Sequence, residues 1–161
     1  LFAGEEFGLL GATSWVERHK DKLEGISNLF NRDGGPLAAT GVSVPKAMVD
    51  DFIKASKHIS SINPEIPFTV DTIPPRPRPL QPGGTDASIF AIRGVPTISL
   101  RDRDVKGYDF NYREIWHTER DLYTKSIGQY QEHTSVVLAI IVYNLANLNH
   151  ILSREGLYYE Q

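Results

Sequence analysis

Two adjacent carboxylates, Glu5 and Glu6, stand where an apolar stub, Leu1 to Ala3, gives way to a glycine-punctuated apolar run that ends at Ala12. A third carboxylate, Asp33, sits in the turn NRDGG (Asn31 to Gly35), and a late imidazole, His117, lies in IWHTERD (Ile115 to Asp121). Neighbouring side chains in a loop can point different ways, so Glu5 and Glu6 can divide their labour: one holds a metal while the other stays free to take a proton. Hydrolysis of an amide at neutral pH needs that division, because zinc lowers the pKa of bound water toward about 7 while a nearby carboxylate removes its proton during attack. Simpler readings stand beside these. Acids are favoured at a helix start by the dipole, Asp before Gly is a common turn pair, and Asp86 can hydrogen-bond within its own turn or brace a cleft or dimer contact. Thr118, with Asp121 at the capping-box position, reads as the cap of a following helix.

These residues need a scaffold that brings them together. Leu1 to Ala3 reads as the end of a buried strand, and Gly8 to Lys22, with Leu9, Leu10, Trp15 and Val16, as a short helix. Ile26 to Phe30 reads as a strand closed by the NRDGG turn. Pro45 to Ile59 carries Met48, Val49, Phe52, Ile53 and Ala55 at helical spacing, with the proline suited to a first turn. Pro67 to Val70 is a short strand, and IPPRPRPLQPGG (Ile73 to Gly84) is a stiff loop, five prolines excluding a central element; a ligand for a proline-recognising module is the minor reading of PPRPRP. Ser88 to Ile92 begins a helix, VPTISL (Val95 to Leu100) is a buried strand, Arg101 to Trp116 is a loop, and a last helix runs from Glu132 to Leu152 with a broad apolar face. The alternation implies an α/β layer structure with helices over a largely parallel or mixed sheet. In such sheets the working residues sit beyond the carboxyl ends of strands, where Glu5, Glu6, Asp33, the Gly83–Asp86 turn and His117 all fall.

The bulk properties exclude several partners. At 161 residues and 40% hydrophobic content the chain suffices for one cored domain. Its 17 Lys and Arg are interspersed with 20 Asp and Glu, so no basic field collects nucleic-acid phosphates. No cysteine is present, which removes thiol chemistry and disulfides. The apolar stretch Val136 to Leu148 is too short for a membrane span. The chain begins with Leu and not Met, so a segment upstream is expected.

Four pieces, FAGEEFGLLGA (Phe2 to Ala12), NRDGG, GGTDASIFAIRGVPTISL (Gly83 to Leu100) and IWHTERD, occur in an order and at separations that resemble the M28 family of zinc-dependent peptidases. The likeness is nearest to the plasma glutamate carboxypeptidase-like branch and looser to the leucine-type aminopeptidases. It implies a three-layer α/β/α fold with a mixed, mostly parallel sheet, incomplete at its N-terminal side, residues 1–161 forming the C-terminal portion of a single catalytic domain. It further implies two zinc ions per intact site, Glu5 as general base, Glu6 and His117 as ligands of one zinc, and Asp33 as a ligand of the other.

The family also needs a histidine and a bridging aspartate from a strand and loop that precede the double-Glu segment. His19, His58, His133 and His150 lie in expected helices and do not substitute, so this chain alone is expected to bind zinc poorly and to hydrolyse nothing. The N-terminal half of the same domain is the required partner. Ala87 stands where many aminopeptidases of the family have histidine, a difference of subfamily. The implied substrate is a peptide or dipeptide processed at a free terminus, with Arg93, Arg101, Arg103 and Arg113 as candidates to receive a substrate carboxylate. Two other classes stay open: a non-catalytic binding or assembly module, and a glutaminyl cyclase-like amidohydrolase. The resembled branch implies a secreted or periplasmic protein, and either a homodimer or a last helix that buries its apolar face within one subunit.

Overall fold

The computed structural model describes residues 2–160. Its regular elements are the strands β1 (Ala38–Val44), β2 (Thr69–Thr72), β3 (Arg76–Pro77), β4 (Leu100–Arg103) and β5 (Tyr158–Tyr159). The α-helices are α1 (Leu10–Arg18), α2 (Val49–Ser56), α3 (Ile59–Ile62), α4 (Ala87–Ile92), α5 (Tyr112–Ile115) and α6 (Gly128–Ala146), and short 3-10 turns cover Lys20–Gly25, Lys46–Met48 and Tyr123–Lys125. The arrangement is three-layered, α/β/α, around a mixed sheet ordered β2-β1-β4, with β1 parallel to β2 and antiparallel to β4. On one face α2 and α6 bury Phe52, Ala55, Val137 and Ile141 against Val42 and Val44. A second cluster joins α1 and α4 through Ala12, Val16, Phe90 and Val95. Each of the larger side chains here, the valines, Ile141 and the phenylalanines, contributes about 1.5–3 kcal/mol when fully buried. No described helix is long and apolar enough to cross a membrane.

The central strand, AATGVSV, is absent from the sequence expectations, because its residues are small and show neither alternation nor bulk. Smallness is what the position requires. Arg101 reaches across Gly41 to donate to Thr69 Oγ1 at 2.6 Å, joining β4 to β2, and a Cβ on Gly41 would overlap both the guanidinium and the Thr69 carbonyl.

Other boundaries differ for identifiable reasons. Leu1 lies outside the described residues, and Phe2 and Ala3 belong to no strand. The expected strand Ile26 to Phe30 joins no ladder: Leu29 donates to the Pro96 carbonyl at 2.9 Å, but Pro96 has no N–H to return. The Asn28 side chain takes over, accepting from Ile98 N at 2.8 Å and donating to Ile98 O at 3.1 Å. For the same reason VPTISL enters the sheet only at Leu100, and Arg101 to Arg103, expected as loop, continue β4. The expected helix Pro45 to Ile59 divides into a 3-10 turn, α2 and α3, and the last helix runs Gly128–Ala146, beginning and ending earlier than expected. Within the proline-rich loop, β3 pairs with β5 at the molecule's edge. Arg76 and Arg78 supply its N–H donors to Leu157 and Tyr159, alternating with prolines that have none to offer.

Candidate active site

The double-Glu segment is a tight turn closed by its own backbone. The N–H groups of Gly8 and Leu9 both donate to Glu5 O (3.1 and 2.9 Å), Leu10 N to Gly4 O (3.1 Å) and Gly11 N to Ala3 O (2.8 Å). Gly4 and Gly8 occupy the left-handed region that favours glycine. Gly11 has a different duty: a Cβ there would stand 2.5 Å from Ala3 N and 2.6 Å from Ala3 O, so only glycine lets α1 pass under the incoming chain.

Asp33 is exposed on the turn before β1. That turn is anchored by Arg32, whose guanidinium pairs with Asp102 on β4 and donates to the carbonyls of Gly35 (3.0 Å) and Leu37 (3.2 Å). Burial pushes the Asp102 carboxyl up, against the opposing pull of Arg32.

His117 follows α5, whose first turn is capped by Asn111: its Oδ1 accepts from Arg113 N at 3.1 Å and its amide donates to Glu114 at 2.9 Å. Thr118 does not start a helix. Its hydroxyl donates back to Ile115 O at 2.9 Å and accepts from Arg120 N, closing α5, while the following 3-10 turn begins at Tyr123 without a side-chain cap. His117 itself has φ 55°, a left-handed conformation costing a non-glycine residue about 1–2 kcal/mol. The Trp116 ring lies 4.4 Å from the imidazole, centroid to centroid.

The strained turn delivers the imidazole to the double-Glu loop, where His117 Nε2 stands 2.9 Å from Glu6 Oε1. Glu6, Asp33 and His117 line one open cleft of about 810 Å³. Glu5 is half-buried beside it, and its carboxyl is pushed up by burial first, then by the negative charges of Glu6, Asp33 and Asp86, with His117 opposing. Asp86, at the start of α4, makes no capping bond, and its buried Oδ1 has no partner among the described residues. Burial and Asp33 push its carboxyl up as well.

The fit to a divalent metal follows from these facts. The negative charges of Glu6, Asp33 and Asp86 all act on the Glu5 carboxyl, an arrangement of like charges that a cation would relieve. Tetrahedral zinc with ligand distances near 2.0–2.1 Å sets donor atoms about 3.3 Å apart, so the Glu6–His117 pair needs only a few tenths of an ångström to become two ligands. Among the described residues, no three His, Cys, Asp or Glu side chains converge closely enough to hold an ion. The donor types and the sign of the field suit a cation, while the described residues assemble one donor pair, Glu6 and His117.

None of the other histidines lines this cleft. His133 is a core residue, with Nε2 2.9 Å from Ala39 O and Nδ1 3.4 Å from the Asn63 amide, and His150 pairs with Asp51. The four arginines expected to meet a substrate carboxylate also lie off the cleft: Arg93 pairs with Glu17, Arg101 with Asp71, and Arg103 and Arg113 are exposed elsewhere. The cleft's permanent cations, among the described residues, are Arg32 and Lys125, neither singled out from the sequence. Arg32 lay in view inside NRDGG, but its partner Asp102 is 70 residues away.

The model of peptidase family M28 matches residues 1–141. The chain belongs to that family. It is 25% identical over 155 residues to Carboxypeptidase Q of Mus musculus, covering 96% of this chain and 30% of that protein. The Rattus norvegicus protein of the same name is 25% identical over 154 residues, with the same coverage. The chain thus spans less than a third of these relatives' length. The crystal structure of a peptidase M28 precursor from Shewanella amazonensis shares the fold, with TM-score 0.67 at 22% identity over 95% of this chain and 32% of that one.

Proposed function

We propose that this chain supplies one wall of the active site of a zinc-dependent exopeptidase, the rest of the catalytic domain being contributed by an N-terminal portion of the same longer protein. The observation that carries the reading is the meeting of Glu6 and His117, 2.9 Å apart from positions 111 residues distant in sequence, beside the half-buried Glu5. Glu6 and His117 would hold one metal ion and Asp33 a second, the remaining donors coming from the N-terminal portion. Bound there, such a metal would supply Lewis acidity toward the scissile carbonyl and the attacking water. Glu5, next to Glu6 in the turn and half-buried beside the cleft, would accept the proton of the attacking water and return it to the leaving amine. The substrate is a peptide or dipeptide cut at a free terminus. The name carried by the rodent relatives favours the carboxyl end, and the resembled branch favours a secreted or periplasmic homodimer.

The test is zinc stoichiometry together with dipeptide and aminoacyl-amide hydrolysis by the full-length protein and its Glu5→Gln variant. Two zincs per protein, and a loss of about 10²–10⁴ in kcat on Glu5→Gln with metal retained, is the expected result. An intact protein with neither metal nor turnover would refute it and leave a binding scaffold.

A further inference from the structure

We infer that Lys125 receives the free carboxylate of a short peptide substrate, so that the cleft selects peptides with an unblocked C-terminus; this rests on the exopeptidase reading above. The about 810 Å³ cleft containing Glu6 and His117 adjoins a second cavity of about 480 Å³, and the two share Ile115, Lys125 and Ser126 in their walls. Lys125 stands at that junction. Of the cleft's two permanent cations among the described residues, Arg32 is already committed to Asp102 and to two carbonyls. The Lys125 ammonium has no hydrogen-bond or ion-pair partner among the described residues, although the acidic Asp121 lines the same cleft.

The main chain beneath Lys125 is held in place. Lys125 N donates to Leu122 O at 2.8 Å and Ser126 N to Tyr123 O at 3.0 Å, which fixes the 3-10 turn while leaving the side chain free to reach. A lysine there acts as a mobile point charge on a four-carbon stem, suited to one carboxylate oxygen and tolerant of its exact height. The remaining charges set direction. With Glu6 and Asp33 committed to metal in that reading, Lys125 is the cleft's remaining cation without a partner among the described residues, and it draws a substrate carboxylate toward the junction. A peptide therefore enters with its carboxylate toward the junction and its scissile bond toward Glu5.

The experiment compares kcat/KM of the full-length protein for glycyl-phenylalanine and for its C-terminal amide, in the unsubstituted protein and in Lys125→Gln and Lys125→Arg. The unsubstituted protein should favour the free acid by about tenfold, the yield of one charge-assisted contact in a solvent-open cleft. Lys125→Gln should bring the acid-to-amide ratio close to one, and Lys125→Arg should restore most of it. An acid-to-amide ratio that Lys125→Gln leaves unchanged overturns the inference, whatever happens to the absolute rates. Calorimetric binding of the same two peptides separates this inference from the reading beneath it. If the unsubstituted protein holds no zinc and turns over neither these peptides nor the dipeptides and aminoacyl amides above, the exopeptidase reading fails; tighter binding of the acid that Lys125→Gln abolishes would still uphold the carboxylate site, and equal binding of acid and amide would overturn it.

Discussion

Replacing Gly11 by alanine separates two physical accounts of the double-Glu turn, because they differ in sign. As an ordinary helical glycine, Gly11 should gain up to about 1 kcal/mol on becoming alanine. The structure argues the reverse. The new Cβ would stand 2.5 Å from Ala3 N and 2.6 Å from Ala3 O, where ordinary contact begins near 3.4 Å, so the chain must retreat by about 0.9 Å. The obstacle is backbone on both sides and not the far end of a flexible side chain, and the retreat stretches the 2.8 Å bond from Gly11 N to Ala3 O. Overpacking of this kind costs about 1–3 kcal/mol and the weakened hydrogen bond about 1 kcal/mol more. After the helical gain is subtracted, Gly11→Ala should destabilise by about 1–3 kcal/mol. Ala3 is three residues from Glu6, so the same displacement loosens the Glu6–His117 approach, and misplacement of about 1 Å can lower catalysis by about 10²-fold. Urea unfolding and kcat/KM, measured on the full-length protein, check both effects. A variant that is stabilised and fully active would refute the close packing of α1 against the Ala3 backbone.

Two further perturbations act away from the cleft. His133→Leu keeps the bulk but removes the partner of the buried Ala39 carbonyl on the central strand, and should cost about 1–3 kcal/mol in urea unfolding without changing zinc stoichiometry. The Tyr130 hydroxyl holds the Asp104 carboxyl below the usual carboxylate range, aided by the N–H groups of Asp109 and Gly107. A carboxyl depressed in the folded state contributes stability that is complete above its unfolded pKa and fades as pH falls through its folded one. Melting temperatures below the ordinary carboxylate range should therefore fall less steeply with pH in Tyr130→Phe, and an unchanged slope would refute the linkage.

The residues of the proposed site were visible in the sequence, because the motifs that carry them are local patterns. FAGEEFGLLGA, NRDGG and IWHTERD name Glu5, Glu6, Asp33 and His117 without coordinates. The alternation of apolar runs and helical spacings indicates a layered α/β fold, since burial of one face obeys the same periodicity wherever it occurs. What the sequence misassigned depends on partners far along the chain. β1 is central because Arg101 and Thr69 close over Gly41, and its small residues carry no periodic signal of that role. Ile26 to Phe30 has the composition of a strand, yet Pro96 opposite it lacks the N–H a ladder needs, and Asn28 fills the gap. Thr118 has the spacing of a cap, but its hydroxyl turns back onto α5.

Pairing decided the site in the same way. Glu6 meets His117 across 111 residues and Arg32 meets Asp102 across 70, separations at which spacing holds no distance information. Sequence alone supplied the candidate groups: the two adjacent acids, the turn aspartate and the late imidazole. Tertiary structure decided which of them converge and which cation is left unpaired in the cleft, because hydrogen bonds and charges depend on distances through space, which the folded chain sets and the order of residues does not.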